Sequence, residues 1–192
     1  MTSGKLQGVR VAILVSDGFE EFELLDTRSS LDQAGAATFI VATREDRATG
    51  SRKGHGEKSV SVDIPLASAK PEDFHALFLP GGKLNAQSLA ANDHVFRFVN
   101  AFMRATKPVA AMAEGLRLLL QTGSLRGRTI TSGLIPVEDM RNAGINVSNK
   151  GVVCDGNLVT ARTVADVETF NHEFTRVLAE IRERSSEIRR TA

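Results

Sequence analysis

Lys107-Pro108-Val109-Ala110-Ala111-Met112-Ala113-Glu114-Gly115 is the stretch that decides the fold. Val109 to Met112 is a short apolar run behind a proline and reads as a buried strand. A helix-like run, Leu116 to Gln121, starts directly after Gly115. A strand that turns abruptly into a helix holds one side chain at the carboxyl edge of a parallel sheet. Beside that side chain, the N–H groups and dipole of a helix start lower a thiol pKa and stabilise developing negative charge. The residue at the turn is Ala113, which offers no nucleophile, no acid and no ligand.

Working outward, Val9 to Val15 is almost wholly apolar, as a central parallel strand requires. Ser16-Asp17-Gly18 reads as a turn. The spacing of Phe22, Leu25 and Leu31 predicts a helix over 19–34 that Gly35 stops. Thr38 to Ala42 supplies a second strand, and this βαβ opening favours a parallel sheet with helices on both faces. Residues 44–58 read as a surface loop or hairpin, with a short strand around Val60 and Val62. Ala76 to Leu79 is a buried strand that ends in Pro80-Gly81-Gly82. A helix over 93–105 places Val95, Phe98, Val99 and Phe102 on one face. Short strands are expected over 129–132, 152–153 and 158–160, with a turn at Asp155-Gly156-Asn157 and a closing helix over 164–182. No internal repeat or linker divides the chain, so 1–192 reads as one α/β domain.

Composition narrows the function classes. The 24 basic and 23 acidic residues nearly cancel, leaving a formal net charge of +1. Such a balance gives no electrostatic reason to expect nucleic acid or a membrane surface as a partner. The charge run at the C-terminus, Arg182 to Arg190, reads as a solvated helix end. Trp and Tyr are absent and ten Phe carry the aromatic surface, a poor supply of stacking platforms for single strands. There is no apolar run of transmembrane length, residues 1–8 do not resemble a signal peptide, and one cysteine cannot form an intrachain disulfide. A cytoplasmic protein is the expectation.

Five local motifs, in order, are similar to one family. They are Asp17-Gly18-Phe19-Glu20-Glu21, Ala76-Leu77-Phe78-Leu79-Pro80-Gly81-Gly82, Lys107-Pro108-Val109-Ala110-Ala111, Leu125-Arg126-Gly127-Arg128-Thr129, and Asp155-Gly156-Asn157-Leu158-Val159-Thr160-Ala161-Arg162. From about Val9 to Leu178 the chain resembles the PfpI/ThiJ family of the class I glutamine-amidotransferase-like superfamily. The resemblance implies a flavodoxin-like three-layer α/β sandwich that forms homodimers or larger rings. It also implies a nucleophilic cysteine after Lys-Pro-Val, a glutamate from the first βα segment beside it, matching Glu20, and an oxyanion site at Gly81 and Gly82. Against that pattern, Ala113 stands at the cysteine, Glu114 at the following histidine, and Ala86 at a glutamate that serves the protease-like branch across a subunit contact.

The remaining reactive residues have ordinary readings. Cys154 lies in a strand far along the chain from the turn and reads as buried filler. Glu20 and Glu114 each fit the first turn of a helix, where a carboxylate is stabilised anyway. If both face one pocket, they cannot both ionise cheaply, and one would hold a proton near neutral pH. His55 lies in a Gly-His-Gly loop whose place resembles the family's loop near the subunit contact, with lining the pocket from the side as its minor alternative, whereas His75, His94 and His172 read as surface residues. No Cys/His spacing fits zinc, two carboxylates are a thin cation site, and no nucleotide fingerprint appears. Neither a metal nor a cofactor is expected.

Two main functions follow. One is a family member silent in thiol chemistry that binds a small molecule or a protein partner, with Glu20, Gly81, Gly82 and Glu114 as the ligand-binding residues. The other is a divergent hydrolase or lyase that uses Glu20 and Glu114 for acid–base chemistry. A stress-related holdase is a third reading, drawn from the family alone. The family's peptidase, amidase and glyoxalase-like activities all depend on the missing thiol.

Overall fold

In the computed structural model, which describes residues 4–51, 58–131 and 135–191, the strands in chain order are β1 (Arg10–Val15), β2 (Phe19–Glu20), β3 (Ala37–Ala42), β4 (Arg47–Ser51), β5 (Ser59–Ser61), β6 (Ile64–Pro65), β7 (Ala76–Leu79), β8 (Val109–Met112), β9 (Thr129–Thr131), β10 (Asn146–Ser148), β11 (Val152–Asp155) and β12 (Leu158–Ala161). The α-helices are α1 (Glu21–Gln33), α2 (Lys83–Ala90), α3 (Asp93–Arg104), α4 (Leu116–Gln121), α5 (Val137–Asn142) and α6 (Val167–Thr191).

Seven strands form the central sheet in the order β11-β12-β8-β7-β1-β3-β6. All its pairings are parallel except β11 with β12 at one edge. Within it, β3, β1, β7, β8 and β12 follow the 2-1-3-4-5 order of flavodoxin-like sheets. The switch point therefore falls between the carboxyl ends of β1 and β7, where such folds bind ligands.

Alternation along each strand sends neighbouring side chains to opposite faces. Val11, Ile13 and Val15 of β1 join Phe78, Ala110 and Met112 in a core covered by Leu24 and Leu31 of α1 and Phe170 and Phe174 of α6. Ala12 and Leu14 join Leu77, Leu79, Val109 and Ala111 under Val95, Phe98, Val99 and Phe102 of α3 and Leu116 and Leu119 of α4. Two cores, one on each face, make the expected three-layer sandwich.

The elements depart from the sequence reading in three places. The first helix begins at Glu21, because Phe19 and Glu20 stay extended and pair with Gly50 and Ser51 of β4. Within the region expected as a loop or hairpin, β4 and β5 pair antiparallel; His55 lies outside the described residues. Finally, α2, α5, β6 and β10 have no counterpart in the sequence reading. The first of these matters most, since α2 builds one wall of the site.

Candidate functional site

The β8–α4 connection is a sharp turn. Met112 is extended at φ −117° and ψ 146°, and Ala113 then flips to φ 44° before a short 3-10 turn leads into α4. A left-handed alanine costs energy that the surrounding structure must supply, on the order of 1–3 kcal/mol. Gly115 lets this turn press against β7: a β-carbon there would lie 2.4 Å from the Leu79 carbonyl oxygen. The elbow expected from sequence is present, with the Ala113 methyl group at its apex and only 5% exposed.

Facing the elbow is the loop after β7. Gly82 adopts φ 105°, and a β-carbon there would sit 2.2 Å from the Gly18 carbonyl oxygen. Only glycine lets the β7–α2 loop approach the β1–β2 turn so closely. Asn85, the third residue of α2, is fully buried and ties the two strand ends together. Its Oδ1 accepts from the Ser16 N–H at 2.6 Å, and its Nδ2 donates to the Pro80 and Gly81 carbonyls at 3.1 Å each. The Gly81 carbonyl also accepts from the Glu20 N–H at 3.1 Å. The orientation of the Gly81 and Gly82 amides is thus fixed from both sides.

Two carboxylates occupy these amides. Glu23 Oε2 accepts from the Gly81 N–H at 2.7 Å, and Glu114 Oε2 accepts from the Gly82 N–H at 3.1 Å. A single point, where a β-carbon on Gly81 would stand, lies 2.8 Å from Glu23 Oε2, 3.0 Å from the Ala113 methyl carbon and 3.0 Å from Glu114 Oε2. The elbow, the glycine loop and both acids therefore converge on one small volume.

The acid of α1 that reaches the elbow is Glu23, not Glu20. Pairing with β4 keeps Glu20 out of the helix as its half-buried N-cap. Glu23 is one turn further on, in the stripe with Thr27 and Leu31 at i+4 and i+8, and it is 2% exposed. Burial pushes its carboxyl up from the ordinary 4.5 to about 7; the Gly81 N–H opposes this, and the charges of Glu20 and Glu114 add to it. The acid of α1 that stands beside Glu114 is accordingly Glu23, with Glu20 adding a further negative charge near it. Glu23 had a sequence signal: counting back in steps of four from Leu31 meets Thr27 and then an acid.

Glu114 also lines a cleft of about 330 Å³ between α2 and α4, together with Lys83, Gln87, Arg117 and Gln121. Ala86 borders the same cleft and is 3% exposed. Cys154 is remote, on edge strand β11 against α6, where the Arg176 Nη2 donates to its Sγ at 3.4 Å. Burial raises its thiol pKa, with Arg176 opposing that shift. Phe19 is fully buried in the core because the β2–β4 pairing turns it inward, whereas Phe22 and Leu25 of α1 and Leu84 of α2 are exposed. Among the described residues no group of acids, histidines and cysteines is arranged to hold a metal, and no helix is long and apolar enough to cross a membrane.

A flavodoxin-like sheet, a left-handed strand-to-helix elbow and a facing glycine loop define an α/β protein of the nucleophile-elbow class. The chain belongs to the DJ-1/PfpI family, whose sequence model matches residues 9–177. It is 38% identical over 172 residues to the uncharacterized protein SH1084 of Staphylococcus haemolyticus, covering 88% of this chain and 97% of that one. It is 35% identical over 171 residues to the uncharacterized protein SAV1875 of Staphylococcus aureus, covering 88% and 98%. Among solved structures it resembles a two-domain protein of Anabaena variabilis with DJ-1/ThiJ/PfpI-like and ferritin-like domains. The TM-score is 0.80 at 30% identity, over 90% of this chain and 48% of that one, so the chain spans about half of that protein. A Cys-to-Ala mutant of the DJ-1 superfamily protein STM1931 of Salmonella typhimurium gives a TM-score of 0.77 at 26% identity, over 94% and 97%.

Proposed function

We propose that this chain, acting as one DJ-1/PfpI-type domain over 1–192, is silent in the family's thiol chemistry and binds a small molecule at its elbow. The observation that carries this reading is the left-handed turn at residue 113, kept with a methyl group at its apex and with the Glu114 carboxylate on the Gly82 amide. A strained turn without a nucleophile is a frame for binding, and Glu23, Gly81 and Gly82 supply its polar contacts, with Glu114 seated at its mouth. A single cysteine and the family's habit fit a cytoplasmic setting. A second reading, acid–base catalysis, is favoured by one observation: Glu23 titrates near neutrality beside Glu114, as a general acid or base should.

Methylglyoxal consumption separates these readings. Wild-type protein and Ala113→Cys are both expected to match the uncatalysed rate, and Ala113→Cys combined with Glu114→His is expected to gain turnover. Full activity in Ala113→Cys alone sinks the idea that the Glu114 carboxylate would raise the pKa of a thiol placed at residue 113 by like-charge repulsion. Wild-type turnover that survives alkylation of Cys154 by iodoacetamide and disappears in Glu23→Gln establishes the carboxylate enzyme instead.

Self-association is part of the proposal. Phe22 and Leu25 on α1 and Leu84 on α2 are 40%, 37% and 62% exposed, and they suit the centre of a contact between copies. Sedimentation at micromolar concentration is expected to give twice the 20.7 kDa chain mass or more. Phe22→Glu with Leu84→Glu should return it to one chain mass. A wild-type protein sedimenting at one chain mass counts against this.

A further inference from the structure

We propose that Glu114 forms an autoinhibitory contact: its carboxylate fills the Gly82 amide site as a tethered ligand, and a small monocarboxylate enters only when that side chain swings into the cleft between α2 and α4. The contact joins two distant parts of the chain. Glu114 is on the elbow, the amide is on the β7–α2 loop, and 32 residues separate them. The space it fills is already shaped for a carboxylate, since Gly82 N–H points into it and Gly81, without a side chain, leaves room for it. On the opposite wall Glu23 holds its own carboxyl on the neighbouring Gly81 N–H.

The same Glu114 side chain also faces a second place to sit. The α2–α4 cleft carries Lys83 from α2 and Arg117 from α4 on its walls, so a carboxylate leaving Gly82 meets cations rather than bare apolar surface. The charged groups that face Glu114 are then Glu23 from α1, itself beside Glu20, with Lys83 from α2 and Arg117 from α4 on the walls of the cleft. Glu23 repels Glu114 from its inner seat and the cations of the cleft favour the outer one, whereas the Gly82 hydrogen bond retains it. Below about pH 7 Glu23 is mostly protonated, which removes one repulsion from an incoming anion and offers it a donor.

The test uses formate as the probe and the full-length protein at pH 6, and it reads the Gly82 amide cross-peak in a 15N–1H NMR titration. Glu114→Ala is expected to give a saturable shift with a Kd at least about tenfold lower than wild type. Glu114→Gln, whose amide oxygen can keep the Gly82 seat, is expected to stay within about threefold of wild type. No saturable shift in a folded Glu114→Ala protein overturns the proposal, as does wild-type binding of equal affinity. If Glu114→Gln binds as tightly as Glu114→Ala, charge rather than occupancy excludes the anion, and the tethered-ligand idea falls. Because formate binding requires no turnover and no thiol, failure here leaves the proposed thiol silence standing, and the methylglyoxal experiment tests that separately.

Discussion

Asn85→Leu is expected to lower stability by roughly 3 kcal/mol or more, and to disorder the glycine loop before the rest of the sheet. Asn85 is fully buried, and its amide satisfies the Ser16 N–H and the Pro80 and Gly81 carbonyls at once. Leucine is close in size but pairs with none of them. Gly81 keeps its bond from the Glu20 N–H, whereas the buried Ser16 N–H loses its side-chain partner. Each buried polar group left unpaired costs about 1–3 kcal/mol. Asn85→Asp is the informative control. Its carboxylate can still accept from Ser16, yet it sets a charge against two carbonyl oxygens, so it should be unstable at neutral pH and recover partly when acid protonates it. Urea unfolding of the three proteins checks this, and a cost under about 1 kcal/mol for Asn85→Leu would show that the strand ends hold without the amide.

Glu23→Gln is expected to abolish a pH dependence of stability worth on the order of 3 kcal/mol, from about 1.4 kcal/mol per pKa unit. The folded carboxyl titrates at about 7 and the unfolded one near 4.5, so the folded state binds the proton more tightly. The stabilisation is fully present below 4.5 and is lost as pH rises through about 7. Glutamine can still accept the Gly81 N–H through its amide oxygen, and it carries no charge to bury. Wild type and Glu23→Gln should therefore agree within about 1 kcal/mol at pH 4.5, and the variant should be the more stable at pH 8. Parallel stability curves for the two proteins across that range would mean that folding leaves the Glu23 carboxyl at its unfolded pKa.

The parts of this molecule written in local pattern could be read from the chain. Val9 to Val15, Ala76 to Leu79 and Val109 to Met112 are apolar except for Arg10 because both faces of a parallel strand are covered, and the structure has β1, β7 and β8 there. The turn at Ala113 was legible for the same reason, since strand and helix patterns meet with one residue between the strand and Glu114-Gly115. What escaped was decided by contacts distant in sequence. Helix α2 is short, and its buried residues are Asn85, Ala86 and Leu89. Nothing in the local pattern marks Asn85 as the residue that bonds to Ser16, Pro80 and Gly81. Glu20 was expected at the elbow because a helix starting at Phe19 would put it in the first turn. Pairing of Phe19 and Glu20 with β4, set by tertiary structure, shifts the helix start and hands the inward position to Glu23.

The elbow keeps a left-handed turn at Ala113 with the Glu114 carboxylate on the facing Gly82 amide, and the proposed thiol silence takes that carboxylate to disfavour a thiolate at residue 113. The most direct measurement is the thiol pKa at residue 113, read from the pH dependence of iodoacetamide alkylation of Ala113→Cys in a Cys154→Ser background. In the family's arrangement a thiol at such a turn is activated by a helix start and open amides. Here a carboxylate already occupies the Gly82 amide and lies beside the same point as the Ala113 methyl group. Like-charge repulsion at that range is worth a few kcal/mol at an effective dielectric of about 20. The expected result is a thiol pKa at or above the ordinary value of about 8.5, falling by at least about one unit when Glu114→Gln is added. A thiol pKa below about 7 in Ala113→Cys, unmoved by Glu114→Gln, would contradict the claim.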